Sequence, residues 1–314
     1  MRASPFGAGL LLLVGMAGPS FAGMTADLAS CTAAEGRSSA DACTRVMDSG
    51  RLPRNEFYIG YFNRGSGYRR AGEFDKALAD FNKVVSLNPS FSRGFHARGL
   101  AHDDLDAPDK ALDDLDRAIK LNTKDWSAYY SRATMRRARQ DYDGAMADVE
   151  KAADLKPKQP QVLLLRALIN ADRGAYEVAR DEIDKVGDDG QGGAAAHYAR
   201  AAVAFAEHDL DAAAAEVDKA LDLKDSLAAA HVLKGRILEA RGDKGAAKAR
   251  YQQAMALPSG FLESRGAQRK ARERLSALTG VDTAAVALNQ PSRNVGCKRF
   301  LPATGVTISI DCGK

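Results

Sequence analysis

Apolar and small residues recur along this chain with a fixed period of 34 residues. In each copy, two stretches with helical spacing of apolar residues flank a polar turn, and most copies end in a polar or proline-containing stop. This pattern predicts six helical hairpins. A single hairpin cannot bury its apolar face alone, so the hairpins are expected to stack into an array. The copies are 58–91, 92–125, 126–159, 160–193, 194–227 and 228–261.

Small residues occupy two fixed places in every copy, one in each predicted helix. The eighth residue is glycine or alanine, and the twentieth is always alanine. Small side chains at these places let two helices approach closely. Bulkier residues at the fourth and twenty-fourth places, such as Tyr61 and Phe81, fill the remaining space. The alanines are Ala77, Ala111, Ala145, Ala179, Ala213 and Ala247.

With these positions, residues 58–261 resemble the tetratricopeptide repeat family. The resemblance implies an all-α, right-handed superhelical solenoid whose concave face is lined by the first helix of each repeat. It also implies a scaffold that binds a protein or peptide on this face and carries no cofactor. The fourth copy departs most from the pattern, because its end, VGDDGQGG, lacks the leucine and proline. A longer turn is predicted there.

The N-terminal residues 1–22 have the pattern of an export signal. Arg2 precedes an apolar run at 8–17, and Ser20 and Ala22 are small residues at the places that a signal peptidase reads. The mature chain is therefore predicted to begin at Gly23, outside the cytoplasm and in the bacterial periplasm. The run is too short for a permanent membrane-spanning helix.

Leu28-Ala29-Ser30-Cys31 offers an alternative, because it resembles the site at which a lipoprotein is lipidated on cysteine. Membrane attachment is expected only in this case. A charged residue, Asp27, lies between the apolar run and this tetrad and is unfavourable for such a site.

Four cysteines in an exported chain predict disulfides. Cys31 and Cys43 precede the array, and Cys297 and Cys312 follow it. Six hairpins stacked at about 10 Å would hold the two ends far beyond the roughly 6 Å reach of a disulfide. The predicted pairs are therefore Cys31–Cys43 and Cys297–Cys312. A metal site is the rival interpretation, but neither pair has the CxxC spacing or a neighbouring histidine.

Atypical segments are expected to close both ends of the array. Residues 23–57 predict a short helical hairpin that Cys31–Cys43 would join. Residues 262–279 predict a basic, amphipathic helix that caps the last repeat, with membrane-surface binding as an alternative. Residues 280–314 predict a linker and a disulfide-closed tail, in which apolar and polar residues alternate as in a strand.

Charge and motifs exclude several functions. The net charge of +4 and the lack of a long basic tract argue against nucleic-acid binding. The sequence contains no clear catalytic set, and His197 and His231 fall at packing positions. The acidic run at 103–116 lacks the spacing of a calcium loop, which favours a solvated turn and helix face.

The seventh place is basic in all six repeats, and the twenty-third is acidic in five. This could be a ladder of cations for an anionic polymer. Pairing of each cation with the acid on the partner helix is favoured, because the acids match. In the sixth repeat both places are basic, Lys234 and Arg250, so this is the one place where a free positive site could lie.

The resemblance places the partner-binding residues on the first helices, mainly at the second, fifth, ninth and twelfth places. An apolar stretch in the fourth and fifth repeats suggests anchors for a peptide or helix. Covering of this stretch by the chain's own tail is the alternative. The main hypothesis is an exported scaffold for envelope assembly or secretion, and the other is a structural lipoprotein. The predicted residues are Leu164, Leu168, Tyr198, Phe205, Tyr130, Arg137 and Arg236.

Overall fold

A computed structural model of the protein describes residues 26–32, 36–50, 52–187, 193–257, 262–280, 297–301 and 306–310. Residues 26–32 form α1. The helices that follow are α2 (Arg37–Asp48), α3 (Phe57–Arg70), α4 (Phe74–Leu87), α5 (Ser92–Asp104), α6 (Pro108–Leu121), α7 (Trp126–Ala138), α8 (Tyr142–Leu155), α9 (Pro160–Asp172), α10 (Tyr176–Asp184), α11 (Gly193–Ala206), α12 (Leu210–Leu223), α13 (Ala228–Ala240), α14 (Lys244–Ala256) and α15 (Leu262–Thr279).

The helices from α3 to α14 form six hairpins, each made of a first and a second helix. The two helices of a hairpin pack on each other, and each second helix also packs on the first helix of the next repeat. The prediction of an all-α solenoid of six tetratricopeptide-like hairpins is confirmed. Among the described residues, none of the helices has the length and apolar character needed to cross a membrane.

Close contact between small and bulky residues holds each hairpin together. All six alanines at the twentieth place are completely buried. The side chains at the twenty-fourth place, such as Phe81 and Tyr251, are also buried. They lie against the small eighth residue of the first helix, so that a Cβ atom built on Gly65 would lie 2.9 Å from the Phe81 ring. The small residues therefore set the distance between the helices.

The turn inside each hairpin uses one left-handed residue at the same place in all six repeats. Positive φ angles occur at the fifteenth place of each repeat, just after the first helix. Glycine takes this conformation without steric cost, whereas other residues take it at a cost of roughly 1–2 kcal/mol. The six residues are Gly72, Asp106, Gln140, Gly174, His208 and Gly242.

The fourth hairpin differs from the others in its second helix. Helix α10 has 9 residues, whereas the equivalent α8 has 14. Residues 188–192, where the longer turn is predicted, lie outside the described part of the chain.

A small unit precedes the array. Cys31 and Cys43 are joined by a disulfide, as predicted, with their Cα atoms 4.6 Å apart, and both are buried. Asp27 accepts a hydrogen bond of 3.0 Å from Nε of Arg45, which links α1 to α2. Helix α2 packs on α3 and so covers the first repeat.

At the C-terminal end, β1 (Cys297–Leu301) and β2 (Val306–Ile310) pair antiparallel, in line with the alternating pattern. The predicted Cys297–Cys312 disulfide is not tested, because Cys312 lies outside the described part of the chain. The predicted signal at 1–22 and most of the predicted linker also lie outside it.

Two Gly→Ala substitutions test the packing directly. A methyl group at Gly235 would lie 2.5 Å from the buried ring of Tyr251. Since Tyr251 is also held by a hydrogen bond to Glu239, we expect Gly235→Ala to lower the free energy of unfolding by about 1–3 kcal/mol. At Gly266, in α15, no atom lies within 4 Å of the added methyl. Gly266→Ala should therefore raise stability by about 0.5–1 kcal/mol through helix propensity.

Denaturant unfolding of both variants measures these effects. Equal effects of the two substitutions would contradict the packing that we describe around Tyr251.

Candidate functional site

The inner face of the array is built from the first helices of the repeats, α3, α5, α7, α9, α11 and α13. The position of α15 indicates that this face is concave. Helix α15 packs on α13 and α14 at the end of the array, as predicted for a cap, but it also contacts α5 and α7 of the second and third repeats. Helices so far apart in the chain can meet one helix only if the array curves around it. The inner face therefore encloses a groove.

Part of this groove is open between α3, α5 and α7. It holds a cavity of about 370 Å³ with aromatic, aliphatic and cationic walls. The Arg93 guanidinium lies 5.1 Å from the centre of the Phe91 ring and 5.7 Å from that of Phe62. The walls include Phe62, Ser66, Arg69, Arg93, His96 and Leu100.

A Ser–His pair borders this cavity. The sequence did not predict this pair. Nε2 of His96 lies 2.9 Å from Oγ of Ser131. Asp125, the nearest candidate for a third member, instead accepts hydrogen bonds from the backbone N–H and the hydroxyl of Ser127. Burial lowers the pKa of His96, the charge of Asp125 opposes this shift, and that of Arg69 adds to it. Since Ser131 is only 5% exposed, the pair fits a packing role better than nucleophilic catalysis.

Two predicted anchor residues do not line the groove. Leu164 and Leu168 are 6% and 8% exposed, and they lie in an apolar core with Ala199 and Val203 of α11. Helices α9 and α11 contact each other directly, because α11 is rich in alanine. The prediction of these two leucines as exposed anchors is therefore corrected: they hold the fourth and fifth repeats together.

The predicted aromatic residues remain partly exposed on the inner face. Tyr198 packs between the apolar cores on both sides of α11. The ring of Tyr130 is 6.3 Å from that of Trp126. The ring of Phe205 lies 4.5 Å below the guanidinium of Arg236, within the range of a cation–π contact. These rings add to the apolar surface of the groove.

Two ion pairs join helix α15 to the first helices of the second and sixth repeats. Nη1 of Arg269 lies 3.0 Å from Oδ1 of Asp103 in the second repeat, although the two residues are 166 positions apart. Arg274 donates to both carboxylate oxygens of Glu239 in the sixth repeat. Helix α15 therefore covers part of the inner face at the second, third and sixth repeats. The alternative in which the chain's tail covers the apolar stretch of the fourth and fifth repeats stays a prediction.

Glu239 has a second partner besides Arg274. It also accepts a hydrogen bond of 2.8 Å from the hydroxyl of Tyr251. Burial alone would raise the pKa of Glu239, but the hydrogen bonds from Arg274 and Tyr251 outweigh it and lower that pKa. Burial and the bond to Glu239 raise the pKa of Tyr251 to about 12.

The basic ladder of the seventh places is an internal network. In the third repeat, Arg132 donates 2.8 Å and 2.5 Å hydrogen bonds to Asp148 in its own hairpin. It also donates a 2.6 Å bond to Asp116, on the second helix of the preceding repeat. The first, second and fourth repeats have the same ion pair between the two helices of one hairpin. These pairs are Arg64–Asp80, Arg98–Asp114 and Arg166–Glu182.

The last two repeats use a different pairing. Arg200 lies 3.4 Å from Asp184 of the preceding repeat, while Glu216 instead binds His197 at 2.7 Å. Lys234 pairs with Asp218 of the preceding repeat at 2.5 Å. Lys234 is therefore not a free cation, because the preceding hairpin supplies the missing acid.

The acidic residues at 103–116 also belong to this internal network of ion pairs. Several of its carboxylates are partners of arginines on neighbouring helices, and the calcium interpretation is not needed for them. Three of them, Asp103, Asp104 and Asp114, are buried, which corrects the expectation of a solvated face. The pairs are Asp103–Arg269, Asp104–Arg69, Asp109–Arg139, Asp114–Arg98 and Asp116–Arg132.

Removal of one ladder acid tests the network. Asp148 is buried and binds Arg132 and Arg136. We expect Asp148→Ala to lower the free energy of unfolding by about 3 kcal/mol, because it leaves cations without their buried partner. Asp154→Ala is the matched control, since Asp154 is 72% exposed and its pair with Lys151 is 3.6 Å long. Its effect should stay below about 1 kcal/mol. Similar losses in denaturant unfolding of the two variants would contradict a structural ladder.

Comparison with known proteins identifies the family. A family model described as Tetratricopeptide repeat matches residues 58–91, and a second model with the same description matches 96–160 and 130–194. No curated protein matches the sequence.

Solved structures share the fold at low sequence identity. A tetratricopeptide repeat protein from Parabacteroides merdae is 20% identical with a TM-score of 0.63, over 81% of this chain and 99% of that one. A chain of the APC/C hetero-tetramer Cut9-Hcn1 is 14% identical with a TM-score of 0.58, over 79% and 48%. PilW, a type IV pilus biogenesis factor, is 18% identical with a TM-score of 0.51, over 64% and 93%. From its repeats, its hairpins and these matches, the chain is a tetratricopeptide repeat protein.

Proposed function

We propose that this protein is a non-enzymatic, exported scaffold that binds a protein or peptide partner in the groove of its inner face. The observation that carries the proposal is the open part of the groove, where a cavity of about 370 Å³ combines aromatic rings with guanidinium groups. Apolar anchors beside polar groups are the usual means of capturing a peptide. Envelope assembly or secretion is the proposed setting, and it depends on the predicted export signal.

The anchors we now propose differ from those of the sequence alone. Tyr198 and Phe205 stay accessible on α11, whereas Leu164 and Leu168 are buried between repeats. Phe62 adds an aromatic wall at the open end. Tyr130, Arg137 and Arg236 remain proposed partner-binding residues along the same face.

A non-enzymatic role is supported by how the polar groups are used. His197 binds Glu216, and His231 binds the backbone carbonyl of Asp225. The remaining Ser–His pair, Ser131 with His96, is enclosed by packing. A nucleophile must reach its substrate, and Ser131 is poorly placed to do so.

Peptide selection on the immobilised full chain tests the groove. We expect random displayed peptides to yield binders whose affinity falls at least about tenfold in a Tyr198→Ala, Phe205→Ala double variant, because aromatic anchors carry much of the binding energy. The control is Val178→Ala with Leu223→Ala, which removes two exposed apolar side chains from second helices. Circular dichroism checks that both variants keep their helix content. Equal affinity for the wild type and the Tyr198, Phe205 variant would exclude these two rings as the anchors of the partner.

A membrane-anchored lipoprotein with a structural role is the second candidate, and the disulfide weighs against it. Lipidation would attach a lipid to the sulfur of Cys31 through a thioether. In this structure the same sulfur is bonded to Cys43 and is buried. One sulfur atom cannot take part in both bonds. The disulfide therefore supports the soluble exported form.

Intact-mass measurement of the mature protein separates these candidates. We expect an N-terminus at Gly23, no lipid, and a Cys31–Cys43 cross-link in the non-reduced peptide map. A chain that begins at a lipidated Cys31, with Cys43 as a free thiol, would establish the lipoprotein instead.

A further inference from the structure

Helix α15 does more than cap the last repeat, because it carries side chains of its own into the groove. It crosses from α13 and α14 to α5 and α7. The ion pairs Arg269–Asp103 and Arg274–Glu239 hold it on the second and sixth repeats. Lys270 lies between these two arginines in sequence, and part of its side chain is exposed. The groove therefore has a cation that belongs to no repeat.

Lys270 comes close to two other cations. These are Arg137 of α7 and Arg236 of α13, and α15 packs on both helices. Partial burial and the charges of Arg236 and Arg137 lower the pKa of Lys270, while Asp172 and Glu273 oppose this shift. Like charges that gather at one place in a folded protein cost free energy unless an anion joins them.

Three of the acids nearby are already engaged. Asp172 binds Arg137 at 2.6 Å, and Asp103 binds Arg269. Both oxygens of Glu239 are taken by Arg274, and one of them also by Tyr251. Among the described residues, neither Arg236 nor Lys270 has an ion pair, although Glu273 lies one helical turn beyond Lys270.

An aromatic surface adjoins these two cations. The guanidinium of Arg236 lies 4.5 Å from the centre of the Phe205 ring, and this cation–π contact favours one position of the group. A guanidinium held in this way binds carboxylates well, because its donors are already oriented.

We infer that the partner is an acidic protein segment whose carboxylates bind between Arg236 of α13 and Lys270 of α15, next to the ring of Phe205. The inference rests on the proposed function of the groove and names the chemistry of its partner. It gives α15 a role in recognition, since without this helix the binding site lacks one of its two unpaired cations.

The test uses the full chain and two labelled synthetic peptides. One consists of three copies of Ala-Glu-Phe-Glu, and in the other every Glu is replaced by Gln. Fluorescence anisotropy measures their affinities at low salt. We expect the acidic peptide to bind at least about tenfold more tightly than the Gln peptide, and its affinity to fall as salt is added.

Single substitutions then locate the contact. Arg236→Ala and Lys270→Ala should each weaken binding of the acidic peptide about fivefold, the typical effect of losing one accessible charge partner. Lys248→Ala is the matched control, because Lys248 is an exposed lysine on the second helix of the same repeat, and it should leave the affinity unchanged.

The outcomes separate the inference from the proposed function. If the Gln peptide binds equally well, or if Lys270→Ala behaves like Lys248→Ala, the inference is wrong. The proposal that the groove binds a peptide would still hold if the bound peptide lost affinity in the Tyr198→Ala, Phe205→Ala variant. If neither peptide binds, the inference fails, and the peptide selection alone then decides on the groove.

Discussion

The rest of the structure depends on the close approach of two helices at a buried alanine. In every hairpin this alanine and the small eighth residue leave room for one bulky side chain, such as Phe81 or Tyr251, and nothing larger. Protein interiors are packed as densely as organic crystals, so the spacing is fixed to within a methyl group. Six hairpins packed in this way give an array that curves, and that curvature creates the groove.

Ion pairs fix how one hairpin sits on the next. Arg132 binds an acid in its own hairpin and another in the preceding one, and Lys234 likewise reaches back to Asp218. The charged residues of the repeats are therefore mostly committed to the frame. This is why an unpaired cation on the inner face, such as Arg236 or Lys270, indicates something that the frame itself does not need.

Much of the fold follows from the sequence, because its period, its small residues and its turn signals act locally. Glycine at three of the six left-handed turn positions was a visible signal of that turn. The exposure of the groove residues could not be predicted in the same way. Spacing assigns Leu164 to the inner side of α9, but its burial depends on how closely α11 approaches, and the small residues of α11 decide that distance.

The contact of α15 with the second repeat also could not be predicted from local sequence patterns. The basic run at 265–274 and the acidic run at 103–106 are complementary in charge, and this was the available signal. Charge complementarity alone does not specify which two segments meet, however, because many arginines and aspartates in this chain have other partners. Only the curvature of six stacked hairpins brings Asp103 and Arg269 together.

The position of α15 in the groove is the central claim, and a double-mutant cycle on Asp103 and Arg269 tests it most directly. The free energies of unfolding of Asp103→Ala, Arg269→Ala and the double variant would be compared with that of the wild type. If α15 crosses the groove, the two substitutions should show a coupling energy of about 1–3 kcal/mol. Effects that simply add would mean that the two residues do not meet, and that α15 does not line the groove.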